Sequence, residues 1–338
     1  QTPHDYRDFA DSAYLSMCYW EYMPTNKVDY SGVSEYDAAF TIGTMCLIRT
    51  AALRAAGGWA EWCLTEDSEV SVRIRAEGYQ GVYVRDTFGR GLIPETFEDY
   101  KKQRFRWTAG PVQQLRRHWR LFMPGRFGAS REMGGWSKLL EIQRCIAPLT
   151  SLAQLGFALL VTLAITFATI SGSAPKLDLP LVAWATMTLG TAAVLVRKWH
   201  RYRLSGCRKI ADMIGGEVAK MSLSYIVLVA GVAGLSRRPL AWRRTPKFKA
   251  GGAGLAALGA TVPEIAIAVA FMGIAAFLFV EREALGSDLV VLGMLGAIGY
   301  AFRFLCAPVM AGMSERHLER SAEAIEPSPQ QVELPLAA

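Results

Sequence analysis

Two stretches decide how this chain is interpreted: residues 65–78 read TEDSEVSVRIRAEG and residues 95–107 read ETFEDYKKQRFRW. In the first, apolar residues recur at helical spacing behind Thr65-Glu66-Asp67, so a helix is predicted to begin at this triplet and to stop at Gly78. Carboxylates are common at a helix start, where free N–H groups favour them, so an isolated triplet would carry no chemistry. The second stretch holds two guanidiniums, an amide and an indole within five residues. On its own it indicates a basic, aromatic face on lipid headgroups.

Taken together, the two stretches indicate chemistry on a sugar. A carboxylate at a helix start can act as a general base, and Arg and Gln can hold a diphosphate. A Trp offers a flat apolar surface to a sugar ring. The order and spacing resemble the TED and Q-x-x-R-W motifs of the processive family-2 glycosyltransferases, the group of the cellulose, hyaluronan and β-glucan synthases. The resemblance implies part of an α/β GT-A-like glycosyltransferase domain, followed by an α-helical transmembrane domain.

The composition also indicates two parts. Of the 338 residues, 51% are hydrophobic, and they crowd into the second half, so we expect one soluble domain and one membrane domain. The net charge is +7. Because the basic runs flank apolar spans, positive cytoplasmic loops explain this charge better than nucleic acid, and no nucleic-acid partner is expected. The six cysteines are scattered, which indicates reduced thiols rather than zinc ligands or disulfides.

The predicted organisation has three segments. Residues 1–125 form the C-terminal part of the GT-A domain with an interfacial helix, residues 126–312 form the membrane domain, and residues 313–338 form a disordered cytoplasmic tail. Four transmembrane helices are predicted, at residues 147–170, 179–196, 262–280 and 289–312. Residues 210–235 lie between two basic flanks that cannot both be cytoplasmic if the segment crosses, so an interfacial or re-entrant helix is expected. The catalytic domain is then cytoplasmic, on a multi-pass protein of the cell inner (plasma) membrane.

Two strands are expected in the soluble part. Residues 40–49 read FTIGTMCLIR, a short buried strand broken at Gly43-Thr44, and residues 80–85 alternate apolar and polar side chains. The F-x-x-G-T pattern that begins at Phe40 resembles the loop that approaches the acceptor sugar in this family. A glycine that tolerates a strand bend would also account for it.

The resemblance implies a role for each motif residue. Asp67 would be the catalytic base that accepts the proton of the acceptor hydroxyl. The residues expected to bind the donor diphosphate are Gln103, Arg106, Thr245 and Lys247. Those expected to border the acceptor are Trp107, Phe40, Gly43, Thr44 and Glu66. Thr245 and Lys247 belong to a segment at 236–249 that resembles the gating loop of cellulose synthases, with a basic juxtamembrane anchor as the alternative.

A divalent cation, Mg²⁺ or Mn²⁺, is the cofactor that the resemblance implies. The family holds it with an Asp-x-Asp motif, and no such motif occurs in these residues. Its ligands are therefore expected upstream of Gln1, in the nucleotide-binding half of the domain, and the chain is expected to be a fragment.

The expected reaction is inverting transfer from a nucleotide sugar, UDP-glucose, to a growing glycan chain that leaves through the membrane spans. Residues 91–107 look most like bacterial β-glucan synthases of the cyclic or linear β-1,3 type. One alternative is a transferase that adds a single sugar to a lipid. Another is a transporter or scaffold with an inactive soluble half, for which the intramembrane Arg303 is the best support. The base, diphosphate and stacking motifs together favour the enzyme.

Overall fold

The computed structural model describes residues 1–124, 128, 130, 132–173, 176, 178–242, 254 and 256–325. The first part of the chain holds β1 (Asp5–Tyr6), α1 (Ala13–Pro24), a π-helical turn (Thr25–Asp29), α2 (Tyr30–Ser34), α3 (Thr50–Ala55), α4 (Glu66–Ala76), β2 (Arg90–Gly91) and α5 (Phe97–Phe122). The second part holds α6 (Gly135–Ile170), α7 (Leu181–Leu204), α8 (Ile210–Ser222), α9 (Ser224–Leu235), α10 (Ala256–Gly259), α11 (Val262–Val280), α12 (Arg282–Leu285) and α13 (Ser287–Ile325).

The two strands expected at 40–49 and 80–85 do not form. In the described part of the chain, β1 and β2 make a parallel two-stranded sheet, and those two segments run beside it without a ladder. They make isolated backbone hydrogen bonds instead, such as that from the Thr2 N–H to the Met45 carbonyl at 3.1 Å. Gly43 and Met45 have positive φ angles of 76° and 51°. These angles interrupt the extended backbone that a regular ladder needs.

The core of the soluble part is aromatic and is shared with the second part of the chain. Tyr6, Tyr22 and Tyr100 are buried in one cluster. The cluster also includes Leu223, which lies between α8 and α9, and Met310 of α13. Burial of these rings fixes α1 against α5 and against the helices that follow. The boundary drawn at residue 125 therefore separates sequence segments rather than separate cores.

Among the described residues, three helices are long and apolar enough to cross a membrane: α6, α11 and residues 288–322 of α13. Helices α8 and α9 are long and apolar enough to cross a membrane only when they are taken together, and they are bent by 44° where they meet at Leu223. Residues 181–196 of the span predicted at 179–196 are helical, as part of α7, but this helix is less apolar than the other three because its last turns are basic. These helices are those of a membrane protein, and the re-entrant position of residues 210–235 stays a prediction.

The tail expected to be disordered begins as a helix. Residues 313–325 continue α13, so the expectation of disorder is wrong for them, while residues 326–338 lie outside the described residues. The physical reason is tertiary packing: Leu318 is 3% exposed, and Met313 packs against the aromatic cluster. A polar sequence with a few well-placed apolar residues can be helical when a neighbour covers them.

The long helix α5 packs closely on the start of α4. A β-carbon at Gly110 would overlap the side chain of Thr65, so the glycine permits this approach. The backbone of α5 leaves helical geometry at His118, with φ −106° and ψ 18°.

Candidate active site

Helix α4 begins where the sequence predicts, directly after Thr65, and it holds Asp67 in its first turn. The Asp67 Oδ1 atom accepts a hydrogen bond from the Ser68 N–H at 2.8 Å. The Asp67 carbonyl accepts from Thr41 Oγ1 at 2.7 Å and from Ser71 Oγ at 2.9 Å. The loop that follows Phe40 is therefore fixed to the first turn of α4.

A cavity of about 140 Å³ opens beside this turn. Asp67, Phe40 and Trp107 all line it, so the structure brings together three residues that the sequence singled out. Its wall also contains Arg104 from α5 and Arg144 from α6. The remaining lining residues are His4, Asn26, Tyr30, Thr41, Ile42, Thr65, Ser68, Thr108 and Pro111. The cavity thus combines one carboxylate, two guanidiniums and a set of aromatic and hydroxyl groups.

The Asp67 carboxyl titrates unusually high for an aspartate. Burial, the largest effect, raises its pKa to about 6, and the neighbouring Glu66 carboxylate acts in the same direction. The Ser68 N–H and the Arg144 guanidinium act in the opposite direction. A carboxyl with this pKa is ionised at neutral pH and is a stronger base than an exposed aspartate, as general-base chemistry requires.

Gly43 and Thr44 belong to the loop against this carboxylate, but they contribute differently. A β-carbon at Gly43 would stand 2.8 Å from Asp67 Oδ2. The Thr44 carbonyl accepts a hydrogen bond from Gln1 Nε2 at 2.7 Å, and Gln1 Oε1 accepts from the Ile42 N–H at 3.1 Å. Gly43 therefore borders the site directly, whereas Thr44 is held by the first residue of the chain.

Trp107 and Arg104 form one wall of the cavity. The Trp107 ring meets Tyr22 edge to face at 5.6 Å, and the Arg104 guanidinium lies 5.5 Å from the Trp107 ring. Arg104 pairs with Glu21, whose carboxylate also accepts from Tyr100 Oη at 2.8 Å. This buried acid and the surrounding rings fix the guanidinium at the cavity.

Gln103 and Arg106, the two α5 residues expected at the diphosphate, do not line the cavity. Gln103 is 5% exposed and accepts a hydrogen bond from Tyr22 Oη at 2.5 Å, so it faces the aromatic core. The Arg106 guanidinium lies 5.0 Å from the Trp242 ring. Burial lowers the pKa of Arg106, against the opposing influence of Glu66 and Asp67.

Glu66 is exposed and does not line the cavity. Thr245 and Lys247 lie outside the described residues, so their contacts stay a prediction.

Two glutamines of α5, Gln114 and Gln113, and Arg144 of α6 were not predicted from the sequence as site residues. Gln114 is fully buried, donates from Nε2 to Ser68 Oγ at 2.7 Å, and accepts from Arg144 Nη2 at 2.7 Å. Gln113 Oε1 accepts from the Leu64 N–H at 3.0 Å. Arg144 could have been predicted from its position at the start of an apolar span. A charged side chain there is energetically unfavourable, so its presence indicates a function.

The described residues of the cavity do not fit a divalent cation. Among them Asp67 supplies the carboxylate, while Arg104 and Arg144 supply positive charge. Within the described ranges there is no group of three or more His, Cys, Asp or Glu side chains that could hold a metal. This donor set suits a phosphate rather than Mg²⁺ or Mn²⁺, which prefer several oxygen ligands. Cation ligands upstream of Gln1 stay a prediction.

Comparison with known proteins gives a family and several relatives. A family model described as glycosyl transferase family group 2 matches residues 10–198. "Probable glucomannan 4-beta-mannosyltransferase 3" of Arabidopsis thaliana is 29% identical over 145 residues, which are 38% of this chain and 25% of that protein. "Probable glucomannan 4-beta-mannosyltransferase 4" of Oryza sativa subsp. japonica is 26% identical over 160 residues, 46% of this chain and 26% of that protein.

A shorter match is more similar: "Probable glucomannan 4-beta-mannosyltransferase 1" of Arabidopsis thaliana is 35% identical over 92 residues, 27% of this chain and 17% of that protein. The chain thus spans about a quarter or less of the length of these relatives. The family match covers more than half of the chain and includes Phe40, Asp67, Arg104, Trp107 and Arg144, the cavity residues discussed above. On this match the chain belongs to glycosyl transferase family group 2.

Proposed function

We propose that this chain is part of a membrane-embedded inverting glycosyltransferase that elongates a β-glycan from a nucleotide-sugar donor. The observation that carries the proposal is the shared cavity, where the Asp67 carboxylate, the Trp107 indole and two guanidiniums face one space. A base, a stacking surface and cations are the groups that glycosyl transfer from a diphosphate donor needs. A GT-A-like fold of the complete catalytic domain is part of this proposal.

The proposed chemical step uses Asp67 as the general base. Asp67 accepts the proton of an acceptor hydroxyl while that oxygen bonds to the anomeric carbon of the donor sugar. The bond between that carbon and the diphosphate oxygen breaks on the opposite face, so the configuration inverts and a nucleoside diphosphate leaves. The pKa of about 6 keeps the carboxylate ionised and able to take the proton near neutral pH.

The charge that develops on the leaving diphosphate is met by guanidiniums. Arg104 lines the cavity and is held there by Glu21. We keep Gln103 and Arg106 as proposed diphosphate residues together with Thr245 and Lys247, but the geometry supports Arg104 more directly. Trp107 lines the same cavity and is proposed to stack on the terminal acceptor sugar, with Phe40 and Gly43 bordering it.

The membrane part is proposed to pass the product across the bilayer. Three helices in the described part of the chain are apolar enough to span and support a membrane location, and α5 packs along α6 and α9 at their junction with the soluble part. A channel for the glycan, a plasma-membrane location and a cytoplasmic catalytic domain complete the proposal.

Two nucleotide sugars are candidate donors. The resemblance of residues 91–107 to bacterial β-glucan synthases supports UDP-glucose. The printed names of the relatives, which are glucomannan 4-beta-mannosyltransferases, support a nucleotide-linked mannose. Both are hexosyl diphosphates, and the described cavity contains the same groups for either.

The experiment uses membranes that contain the whole protein, incubated with Mg²⁺ or Mn²⁺ and labelled UDP-glucose or GDP-mannose. Product size is measured, and the polymer is digested with a β-1,3-glucanase, a β-1,4-glucanase and a β-1,4-mannanase. High-mass polymer from one donor supports a processive synthase, and the digestion assigns its linkage. A product with a single sugar on lipid overturns the polymerising part. If the protein binds a nucleotide sugar but transfers sugar from neither donor, its assignment as an enzyme is overturned.

A further inference from the structure

A cation from a membrane helix reaches the candidate active site. Arg144 lies in α6, one of the helices apolar enough to span, near its start and before its apolar stretch. Its side chain is 21% exposed and lines the cavity that also contains Asp67. The proposed chemical step uses Arg104 for the diphosphate and leaves the second guanidinium of the cavity, Arg144, without a specific role.

The position of Arg144 is set by a buried carboxylate that it shares with α4. Glu141 is 2% exposed and pairs with Arg144 three residues later on the same helix. Glu141 Oε2 also lies 2.5 Å from Arg75 Nη2, and Arg75 donates to Ser137 Oγ at 2.9 Å. One acid therefore holds two guanidiniums, of which one comes from the helix that bears Asp67 and the other from the membrane helix.

A continuous chain of hydrogen bonds joins Arg144 to Asp67. Arg144 Nη2 donates to Gln114 Oε1 at 2.7 Å, and Gln114 Nε2 donates to Ser68 Oγ at 2.7 Å. The Ser68 N–H in turn donates to Asp67 Oδ1 at 2.8 Å. The Arg144 guanidinium also lies 4.5 Å from the Phe40 ring, at the start of the loop that borders the carboxylate.

We propose that Arg144 is a positioning residue of the transfer site, which supplies a fixed positive charge opposite Asp67 and braces both Gln114 and Phe40. The inference rests on the proposed function, because it assigns Arg144 a task through the Asp67 base. Arg144 acts by holding the base ionised and in place, whereas Arg104 remains the guanidinium proposed for the diphosphate. The fork of the guanidinium is needed, since it pairs with Glu141 and donates to Gln114 at once.

The charge around Asp67 comes from several elements. Glu66 of α4 and Arg144 of α6 act electrostatically on Asp67. Asp67 in turn acts on Tyr30 of α2, Cys46 and Cys63 of the loops and Arg106 of α5. Burial raises the pKa of Asp67 most, Glu66 adds to it, and Arg144 opposes both. Loss of the Arg144 charge therefore raises the pKa of the base and moves the acid limb of the rate profile to higher pH.

The test compares Arg144→Gln with Arg75→Gln in membranes of the whole protein. Each variant removes one of the two guanidiniums on Glu141, so each weakens the same junction between α4 and α6, but only Arg144 lines the cavity. The ratio kcat/KM is measured from pH 5 to 8 with the donor that the wild type uses. Arg144→Gln is expected to move the acid limb up by about half a pH unit, since Arg144 lowers the pKa of Asp67 by less than burial raises it. Arg75→Gln is expected to lower protein yield without moving the limb.

An unmoved limb in Arg144→Gln, or an equal movement in Arg75→Gln, overturns the proposal. If Arg144→Gln does not accumulate, Arg144→Lys is used instead, because lysine keeps the positive charge but lacks the forked N–H donors of the guanidinium. It is expected to keep the wild-type limb with a several-fold lower kcat, and a kcat equal to that of the wild type overturns the positioning role. An inactive wild type would count against the proposed function itself, which separates the two failures.

Discussion

Gly43 lies directly against the carboxylate of Asp67, so close that a β-carbon on the glycine would stand 2.8 Å from Asp67 Oδ2. The backbone at Gly43 has a φ of +76°, a conformation that other residues adopt with strain. The F-x-x-G-T loop therefore needs glycine at this position for two reasons, its backbone angle and its contact with the candidate base.

We predict that Gly43→Ala disables transfer beyond its effect on stability. The added methyl group must displace the carboxylate or the loop, so transfer should fall at least about tenfold, equivalent to about 1.4 kcal/mol of barrier. The matched control is Gly58→Ala. Gly58 has a φ of +78°, and no described atom stands within 4 Å of its β-carbon position. Both variants should lose about 1 kcal/mol of stability from backbone strain. Equal loss of activity in the two would show that the contact with Asp67 does not matter.

The pH dependence of transfer should report the unusual pKa of Asp67. Because burial raises this pKa to about 6 and the base acts only when deprotonated, kcat/KM should rise with pH below 6 and level off above it. The measurement is initial rate against pH with donor well below saturation. An acid limb near pH 4, where an exposed aspartate titrates, would contradict the environment described for this carboxyl.

Trp107→Ala should shorten the product more than it weakens donor binding, since the indole is proposed to stack on the acceptor sugar while the Arg104 guanidinium in the same cavity meets the diphosphate. Trp119→Ala is the control on the same helix, because Trp119 is 54% exposed and absent from the residues that line the cavity. Product length by size-exclusion chromatography and nucleotide affinity are measured for both. Equal loss of length and affinity in Trp107→Ala would indicate collapse of α5 instead of loss of a stacking surface.

Glu69 should be the carboxylate on α4 that matters for stability. It is fully buried, its Oε1 lies 2.6 Å from His118 Nε2, and its Oε2 lies 2.6 Å from Arg73 Nη2. Glu69→Gln should cost about 3 kcal/mol because the Arg73 guanidinium loses its buried acid partner and the hydrogen bond with His118 is weakened. Glu98→Gln, at a pair with an exposed carboxylate, should change stability by less than about 1 kcal/mol. Thermal unfolding in detergent compares the two, and equal midpoints would contradict this assignment.

The same carboxylate gives a pH dependence of stability. Burial alone would raise the pKa of Glu69, but its hydrogen bonds with His118 and Arg73 hold it below its ordinary value. The stabilisation is therefore present above the unfolded-state pKa, about 4.3, and is lost as the pH falls through the lower folded-state value. Glu69→Gln should flatten this acid dependence.

Local signals allowed part of this site to be predicted from the sequence. The start of α4 follows from its apolar spacing and from Thr65-Glu66-Asp67, and Phe40 and Trp107 follow from motif patterns near it. Each of these features is encoded within a few neighbouring residues, so the sequence alone carries it.

Tertiary packing decides the remaining features, and the sequence does not display it. Gln103 and Arg104 are adjacent, yet Tyr22 draws the first into the core and Glu21 holds the second at the cavity. Arg144 reaches the site from a helix more than seventy residues beyond Asp67, and no local pattern links the two. The same holds for residues 313–325, where a neighbouring surface stabilises a helix that composition does not predict.

Asp67 is proposed to be the base of a glycosyl transfer, and Asp67→Asn in membranes of the whole protein tests this role most directly. Transfer from labelled donor and nucleotide binding are measured on the same sample, with Glu77→Gln, an exposed acid just beyond the end of α4, as the control. Asp67→Asn is expected to bind the nucleotide like the wild type but to transfer no sugar, while Glu77→Gln is expected to do both. Undiminished transfer by Asp67→Asn would contradict the proposed role of Asp67.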